Sequence, residues 1–200
     1  MRSDDLTNEQ LEAMQTKLAA SEPYRIAFED EAFMTSKALR PVRLQLELLK
    51  PEHNLQRCEV DSTVVVFGSA RILPPDLAIM NLELAEQHAR KNENNAQARR
   101  DLIKARKRVE YSHYYNEARR FATMVSQRFQ PHSPHRLVVV TGGGPGIMEA
   151  GNRGAYDARA MSIGLNITLE HEQLPNPFIS PELCFHFHYF ALHKMHFLMR

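Results

Sequence analysis

The chain has 200 residues, 43% hydrophobic and 24% charged, which is the composition of an ordinary globular protein. Its net charge of +1 excludes a strong general attraction to DNA, RNA or anionic lipid, so we expect no nucleic-acid partner and no membrane partner. The polar start, Met1-Arg2-Ser3-Asp4-Asp5, leads into no apolar run, and Cys58 and Cys184 fit no CxxC pattern, which favours reduced thiols in a cytoplasmic protein.

The first 60 residues have the pattern of a helical extension. A helix is predicted over 6–19, where Thr7 and Gln10 have the spacing of a capping box. A second is predicted from Ile26 to Leu39, and Arg40-Pro41 should end it because the residue before proline avoids the helical region. We therefore predict an extension, 1–60, beside a main domain, 61–200.

Three short segments, at 63–67, 136–141 and 161–166, are predicted to be strands. The first is continuously apolar, as a strand buried on both faces of a parallel sheet should be. A helical insert at about 76–130 separates the first two segments, and helices are predicted at 146–158 and from Tyr189 onward. Strands that alternate with helices indicate an α/β fold, a Rossmann-like doubly wound parallel sheet.

The helical insert is rich in Arg and Lys between Arg90 and Arg120. A basic helix can contact nucleic acid, but acidic residues are interspersed here, at Glu93, Asp101, Glu110 and Glu117. We therefore favour a solvated helix surface over a nucleic-acid contact.

A glycine cluster, Gly142-Gly143-Gly144-Pro145-Gly146, joins the second predicted strand to the helix that follows it. Glycine permits backbone angles that other residues avoid, and it lets a ligand lie against the chain. Bare backbone N–H groups and the start of a helix then favour an anion such as phosphate. The cluster is neither GxGxxG nor a P-loop, so a tight turn without ligand is the alternative.

A second loop of small residues, Gly68-Ser69-Ala70-Arg71, follows the first strand, at the sheet edge where open α/β sheets bind ligands. Ser69 could donate to a phosphate and Arg71 could pair with one, although each is also common as a capping or surface residue. Glu149, in the first turn after the glycine cluster, is favoured there by the helix dipole or contacts a ribose hydroxyl.

His171-Glu172-Gln173 follows the third strand, so these side chains are candidates to contact a base or sugar. His193 and His196 share a helix face, but no carboxylate or cysteine stands at ligand spacing, so we expect no metal. Four aromatic residues near the end are predicted to be core: Phe185, Phe187, Phe190 and Phe197.

In this order the segments resemble the LOG ("lonely guy") family, long described as putative lysine decarboxylases. The resemblance covers roughly residues 40–200 and rests on VFGSAR at 66–71, TGGGPGIMEAGN at 141–152, GLN at 164–166 with HEQ at 171–173, and FALHKMHF at 190–197. The N-terminal extension and the basic insert look like the longer bacterial branch of the family.

The resemblance implies a Rossmann-like fold and a phosphoribohydrolase of the AMP nucleosidase type, with no cofactor. Such an enzyme hydrolyses the N-glycosidic bond of a nucleoside 5′-monophosphate and releases ribose 5-phosphate and a free base of the adenine or cytokinin type. A cytoplasmic homo-oligomer is also implied. On this chain the resemblance points to a catalytic pair, His193 and Lys194, and to a set of substrate- and phosphate-binding residues: Gly68, Ser69, Arg71, Gly142, Gly143, Gly144, Gly146, Glu149 and Glu172.

The chain departs from the family pattern twice. The family usually has Arg-Lys where this chain has His193-Lys194; a histidine can carry a proton near neutral pH, but it lacks the guanidinium fork. The family's second glycine loop, PGGxGTxxE, carries the glutamate associated with catalysis and does not occur within 1–200. We therefore expect this chain to be the N-terminal part of such an enzyme and inactive by itself, which release of base from AMP would contradict.

Two other functions fit the sequence. One is a nucleotide-binding module without catalysis, either a sensor or a truncated paralogue. The other is a structural protein that binds a partner through its N-terminal helices, on a surface around Arg40 to Leu49.

Overall fold

A computed structural model of the chain describes residues 7–92, 94–130, 136–168 and 174–200. Four parallel strands form one sheet in the order β1-β2-β3-β4: β1 (Ser62–Val65), β2 (Leu137–Thr141), β3 (Ser162–Ile167) and β4 (Cys184–Phe187). The three predicted strands are confirmed to within two residues at each end, and β4 was not predicted.

The helices are α1 (Asn8–Ala19), α2 (Glu31–Thr35), α3 (Arg40–Arg57), α4 (Pro75–Lys91), α5 (Ala96–Tyr111), α6 (His113–Phe129), α7 (Ile147–Asp157) and α8 (Phe190–His196). Short 3-10 turns lie at Glu22–Tyr24, Lys37–Leu39 and Pro181–Leu183. Helices α4 to α6 form the predicted helical insert, and α7 follows the glycine cluster as expected.

Helices cover both faces of the sheet, because alternate side chains of each strand point to opposite sides. Val138 and Val140 of β2 lie in a core with Leu55 of α3 and Phe197. Val139 lies in a second core with side chains of α6 and α7. This arrangement confirms the Rossmann-like doubly wound α/β fold.

The aromatic residues near the end of the chain do not all lie in the core. Phe185, Phe187 and Phe197 are buried, as predicted. Phe190 is 57% exposed at the start of α8, so its assignment to the core was wrong. Its ring instead lies beside the ammonium of Lys194, 4.9 Å from the ring centroid, in a cation–π contact that an exposed position permits.

The chain divides into two compact units, Met1–Leu46 and Glu47–Arg200. In the first unit the capping box of α1 is confirmed: the backbone N–H of Gln10 donates to Thr7 Oγ1 over 3.3 Å, and that of Thr7 donates to Gln10 Oε1 over 2.9 Å. The predicted domain boundary at residue 60 stays a prediction.

The helix predicted from Ile26 to Leu39 is wrong in extent. Helix α2 begins only after Asp30, whose carboxylate accepts the N–H of Phe33 over 3.0 Å. Pro41, expected to end a helix, is instead the second residue of α3, where its missing N–H has no intrahelical partner to lose. Sequence periodicity alone did not distinguish a proline that ends a helix from one that begins it.

Helices α6 and α7 approach each other most closely at Gly154. A Cβ built on Gly154 would lie 2.2 Å from the carbonyl oxygen of Arg119 and 2.8 Å from Cβ of Ala122. The hydroxyl of Thr123 bridges the two helices by donating to the carbonyl oxygens of Arg119 and Gly154, each over 2.9 Å. The missing side chain therefore allows the contact that holds α7 against α6.

Replacement of Gly154 by Ala should lower the free energy of unfolding by about 2 kcal/mol, because the backbone clash outweighs the ~1 kcal/mol that alanine gains in a helix. Gly151→Ala, in the same helix, is the matched control: its Cβ would meet Cγ2 of Thr141 at 3.2 Å, a far milder contact. Urea unfolding of both variants checks this prediction. Equal stability of the two would contradict the proposed packing constraint.

Candidate functional site

The buried side-chain amide of Asn152, in α7, forms hydrogen bonds that connect the elements next to the glycine cluster. Its Oδ1 accepts a hydrogen bond from the hydroxyl of Thr141 over 2.7 Å and one from Nδ2 of Asn176 over 2.9 Å. Its Nδ2 donates to the hydroxyl oxygen of Ser162 over 3.0 Å. These hydrogen bonds link the end of β2 to the start of β3. All four residues are buried, so solvent does not screen the hydrogen bonds.

Asn176 extends this network into the glycine cluster itself. Its Nδ2 lies 3.1 Å from the carbonyl oxygens of both Gly143 and Gly144, and its backbone N–H donates to the Gly143 oxygen over 2.8 Å. Gly143 also donates its N–H to Thr141 Oγ1 over 3.0 Å. The carbonyl side of the loop is therefore fixed toward the protein interior.

The opposite side of the glycine loop (residues 142–146) carries unused donors. The peptide between Gly143 and Gly144 is trans, so the N–H of Gly144 points away from the amide that binds the Gly143 oxygen. Among the described residues, the N–H groups of Gly144, Met148 and Glu149 have no acceptor. The last two belong to the first turn of α7, where the helix dipole favours negative charge.

The two predicted ligand loops meet at Ser69. The N–H of Ile147 donates to the carbonyl oxygen of Ser69 over 3.2 Å. A Cβ on Gly146, whose φ is +72°, would lie 2.4 Å from that same oxygen, and one on Gly68 would lie 2.4 Å from Cγ2 of Ile147. Glycine at positions 68 and 146 is thus what allows the loop after β1 to touch the start of α7.

Helix α8 reaches the same edge through the carbonyl oxygen of Leu165. Nε2 of His193 lies 2.8 Å from this oxygen, which is also 4.0 Å from the place a Cβ on Gly142 would take. The rings of Phe67 and Phe197 lie 4.8 Å apart, so α8 also contacts the loop after β1. The structure therefore brings His193 close to the glycine loop.

Burial favours the neutral form of the His193 ring. Burial lowers its pKa below the ordinary value of 6.5, an effect that the hydrogen bond to Leu165 opposes only in part. Because a carbonyl oxygen can only accept, Nε2 carries the proton, and Nδ1 is buried without a partner among the described residues. The expectation that a histidine at this position carries a second proton near neutral pH does not agree with this burial.

One carboxylate oxygen of Glu149 is bound by α6, and its predicted contact to a ribose stays a prediction. The hydroxyl of Tyr115 donates to Glu149 Oε1 over 2.7 Å, and burial, together with this hydrogen bond, raises the pKa of Tyr115 to about 12. Hydrogen bonding to Tyr115 in turn raises the pKa of Arg153. Glu172, the remaining predicted site residue, lies with His171 and Gln173 outside the described residues.

A cavity of about 600 Å³ lies beside the site and was not predicted. Ser69 and Ile72 line it, together with six residues whose side chains are basic or aromatic: Arg71, Lys104, Lys107, Arg108, Tyr111 and Tyr114. We call it the basic cavity. The sequence signal was present, since Lys104, Lys107, Arg108 and Tyr111 recur at the spacing of one helix face, but the interspersed acidic residues favoured a solvated surface.

Sequence reasoning also missed Asn152 and Asn176 as site residues. A single polar residue in a helix or a proline-rich loop has no pattern that marks it as buried, and its partners lie on other elements of the chain. Within the described residues, no group of three or more His, Cys, Asp or Glu side chains is placed to hold a metal ion.

No protein-family model matches the chain, and no curated protein matches it either. Among the described residues, no helix is both long enough and apolar enough to cross a membrane. Cys58 and Cys184 are both unpaired.

Replacement of Asn176 by Ala should lower the free energy of unfolding by about 2 kcal/mol, because the buried Oδ1 of Asn152 and the carbonyl oxygen of Gly144 lose their donor from this side chain. Asn54→Ala is the control, since the amide of Asn54 is exposed and donates only to Lys50 on its own helix. Urea unfolding compares the two. A loss in the control as large as in Asn176→Ala would contradict the role of the network.

Acid should destabilise the fold through His193 and His196. Burial lowers the pKa of both below 6.5, so the unfolded chain takes up protons that the folded chain excludes. The stability that neutral rings provide is present above pH ~6.5 and is lost as pH falls through this value toward the lower folded-state pKa values.

The double variant His193→Gln/His196→Gln tests this dependence, because each amide retains an N–H donor but cannot titrate. Its free energy of unfolding should fall less than that of the wild type between about pH 7.5 and pH 5.5. His53→Gln, at an exposed position of α3, should behave as the wild type does. An unchanged acid dependence in the double variant would show that other groups dominate.

Proposed function

We propose that the chain binds a nucleoside 5′-monophosphate as part of an enzyme that hydrolyses the N-glycosidic bond of this ligand, as the resemblance to the LOG family implies. The observation that carries the proposal is the glycine loop, whose carbonyl side is fixed by Asn176 while the N–H of Gly144 points the other way. Donors held in place before a ligand arrives bind an anion with little further cost of ordering.

The phosphate is assigned to the space in front of Gly144 and the first turn of α7. The N–H groups of Met148 and Glu149 supply further donors there, and the helix dipole adds a partial positive charge. Ser69 is joined to this turn through the N–H of Ile147, which places the loop after β1 beside the same anion. This arrangement supports a phosphorylated ligand and calls for no cofactor.

The sugar and base are assigned to the side of the glycine loop that faces α8. In the hydrolysis the bond between the anomeric carbon and the base nitrogen breaks, water supplies the new bond to carbon, and a proton reaches the departing base. His193 lies near Gly142, and its hydrogen bond to Leu165 fixes the ring orientation. In this proposal His193 positions the sugar and base, and Lys194 is the cation next to it in the chain. A homo-oligomer in the cytoplasm completes the proposal.

One observation favours a second function, binding of the nucleotide without catalysis. The ring N–H of His193 is committed to Leu165, and one carboxylate oxygen of Glu149 is committed to Tyr115. Neither group is ready to transfer a proton to a base in this arrangement. Sequencing the reading frame past the codon for Arg200 separates the two functions: a PGGxGTxxE loop there would support the hydrolase, and a stop codon would support this alternative.

Replacement of Gly144 by Asp should weaken AMP binding at least tenfold, because a carboxylate about 4 Å from a phosphate near a protein surface repels it by ~4 kcal/mol. Gly144→Asn is the matched control, since it has the same shape without the charge. Position 144 suits this pair because its φ is not positive, so both side chains can adopt the backbone conformation. Isothermal titration calorimetry with AMP measures both affinities.

The same proteins are then incubated with AMP, and free adenine is measured by liquid chromatography. No adenine release is expected from residues 1–200 alone, because the glutamate that the resemblance associates with catalysis does not occur within them. Adenine release by the wild type and by Gly144→Asn, with loss in Gly144→Asp, would contradict this expected inactivity and show hydrolysis by these residues themselves. Equal AMP affinity in both variants would place the phosphate elsewhere and contradict the proposal.

A further inference from the structure

The basic cavity carries positive charge that no described carboxylate in its lining neutralises. Lys104 lies 3.8 Å from Asp101, an exposed pair on the same helix. Among the described residues, Arg71, Lys107 and Arg108 have no ion pair, and no carboxylate lines the cavity. Arg106, by contrast, lies 3.9 Å from Glu86 of α4 and does not line the cavity.

The spacing on α5 makes this positive charge costly in the free chain. Lys107 and Arg108 lie three and four residues after Lys104, which brings their charges close to that of Lys104 on one helix face. Like charges at this spacing repel each other, and a bound anion would remove the repulsion. Arg71 faces them from the loop after β1 and brings the number of cations to four.

Two exposed aromatic rings complete the cavity. Tyr111 and Tyr114 are 45% and 52% exposed, and their ring centroids are 6.3 Å apart. Exposed tyrosine rings beside a cluster of cations suit a ligand that has both phosphate groups and a planar ring. A volume of about 600 Å³ is within the range of pockets that hold a molecule of nucleotide size.

We propose that the basic cavity binds a nucleoside polyphosphate, with its phosphates on Arg71, Lys104, Lys107 and Arg108 and its base against Tyr111 and Tyr114. Three cations without an ion pair, together with Lys104, exceed the charge of one monophosphate, which favours a ligand with two or three phosphates. Ser69 connects this cavity to the glycine loop, since its side chain lines the cavity while its carbonyl oxygen accepts from Ile147. The proposal does not depend on the hydrolysis of AMP.

The test is calorimetric titration with ATP as the probe, at low salt, in the Gly144→Asp background, where the glycine loop no longer takes a phosphate. We expect ATP to bind this protein. Adding Lys107→Gln and Arg108→Gln should weaken the binding at least tenfold, because both side chains are exposed in the cavity and their loss leaves the core untouched. Loss of ATP binding through Gly144→Asp alone would place ATP at the glycine loop and overturn the proposal.

The matched control is Arg99→Gln/Arg100→Gln, which removes the same charge from exposed positions of α5 outside the cavity. It should change ATP affinity less than about twofold. An equal loss in both double variants would show that ATP responds only to the overall charge of the protein and would overturn the proposal. Tighter binding of a single-stranded oligonucleotide than of ATP, with the same dependence on Lys107 and Arg108, would also overturn the proposal in favour of a nucleic-acid surface. Failure of AMP to bind the wild type, together with ATP binding that needs Lys107 and Arg108, would refute the proposed function and leave this inference standing.

Discussion

The structure of the site depends on the buried amide pair Asn152 and Asn176. Together they satisfy the hydroxyl of Thr141, the hydroxyl oxygen of Ser162 and the inward carbonyl oxygens of Gly143 and Gly144. A buried polar group that lacks its partner is costly, so the network has one low-energy arrangement. That arrangement fixes which side of the glycine loop shows its N–H groups, and the proposed phosphate site follows from it.

The sequence predicted the parts of the fold that depend on local pattern. Short segments rich in Val, Ile and Leu located β1 to β3, and the spacing of Thr7 and Gln10 located the start of α1. Strand β4 was not predicted because its side chains alternate between exposed and buried positions, so Cys184-Phe185-His186-Phe187 is not a continuous apolar run. Pro41 was misjudged because a proline at the start of a helix and one after its end follow the same residue pattern.

The candidate site was predictable only in its backbone. Glycine at 68, 143 and 146 reflects close approaches that sequence can suggest, and the structure places these glycines against Ile147, Asn166 and Ser69. What Glu149 and His193 do depends on Tyr115 and Leu165, which lie far away in the chain. The basic cavity likewise depends on how α5 packs beside the loop after β1. The basic residues are visible in the sequence, but their position around one cavity could not be predicted from it.

The central claim is that the phosphate of a nucleoside monophosphate lies on the outward side of the glycine loop. A crystal structure of the chain grown with AMP tests it most directly. The account predicts phosphate oxygens about 3 Å from the backbone nitrogens of Gly144 and Met148, with the carbonyl of Gly143 still bound to Asn176. A phosphate located in the basic cavity instead, or a glycine loop whose carbonyls have turned outward, would contradict it.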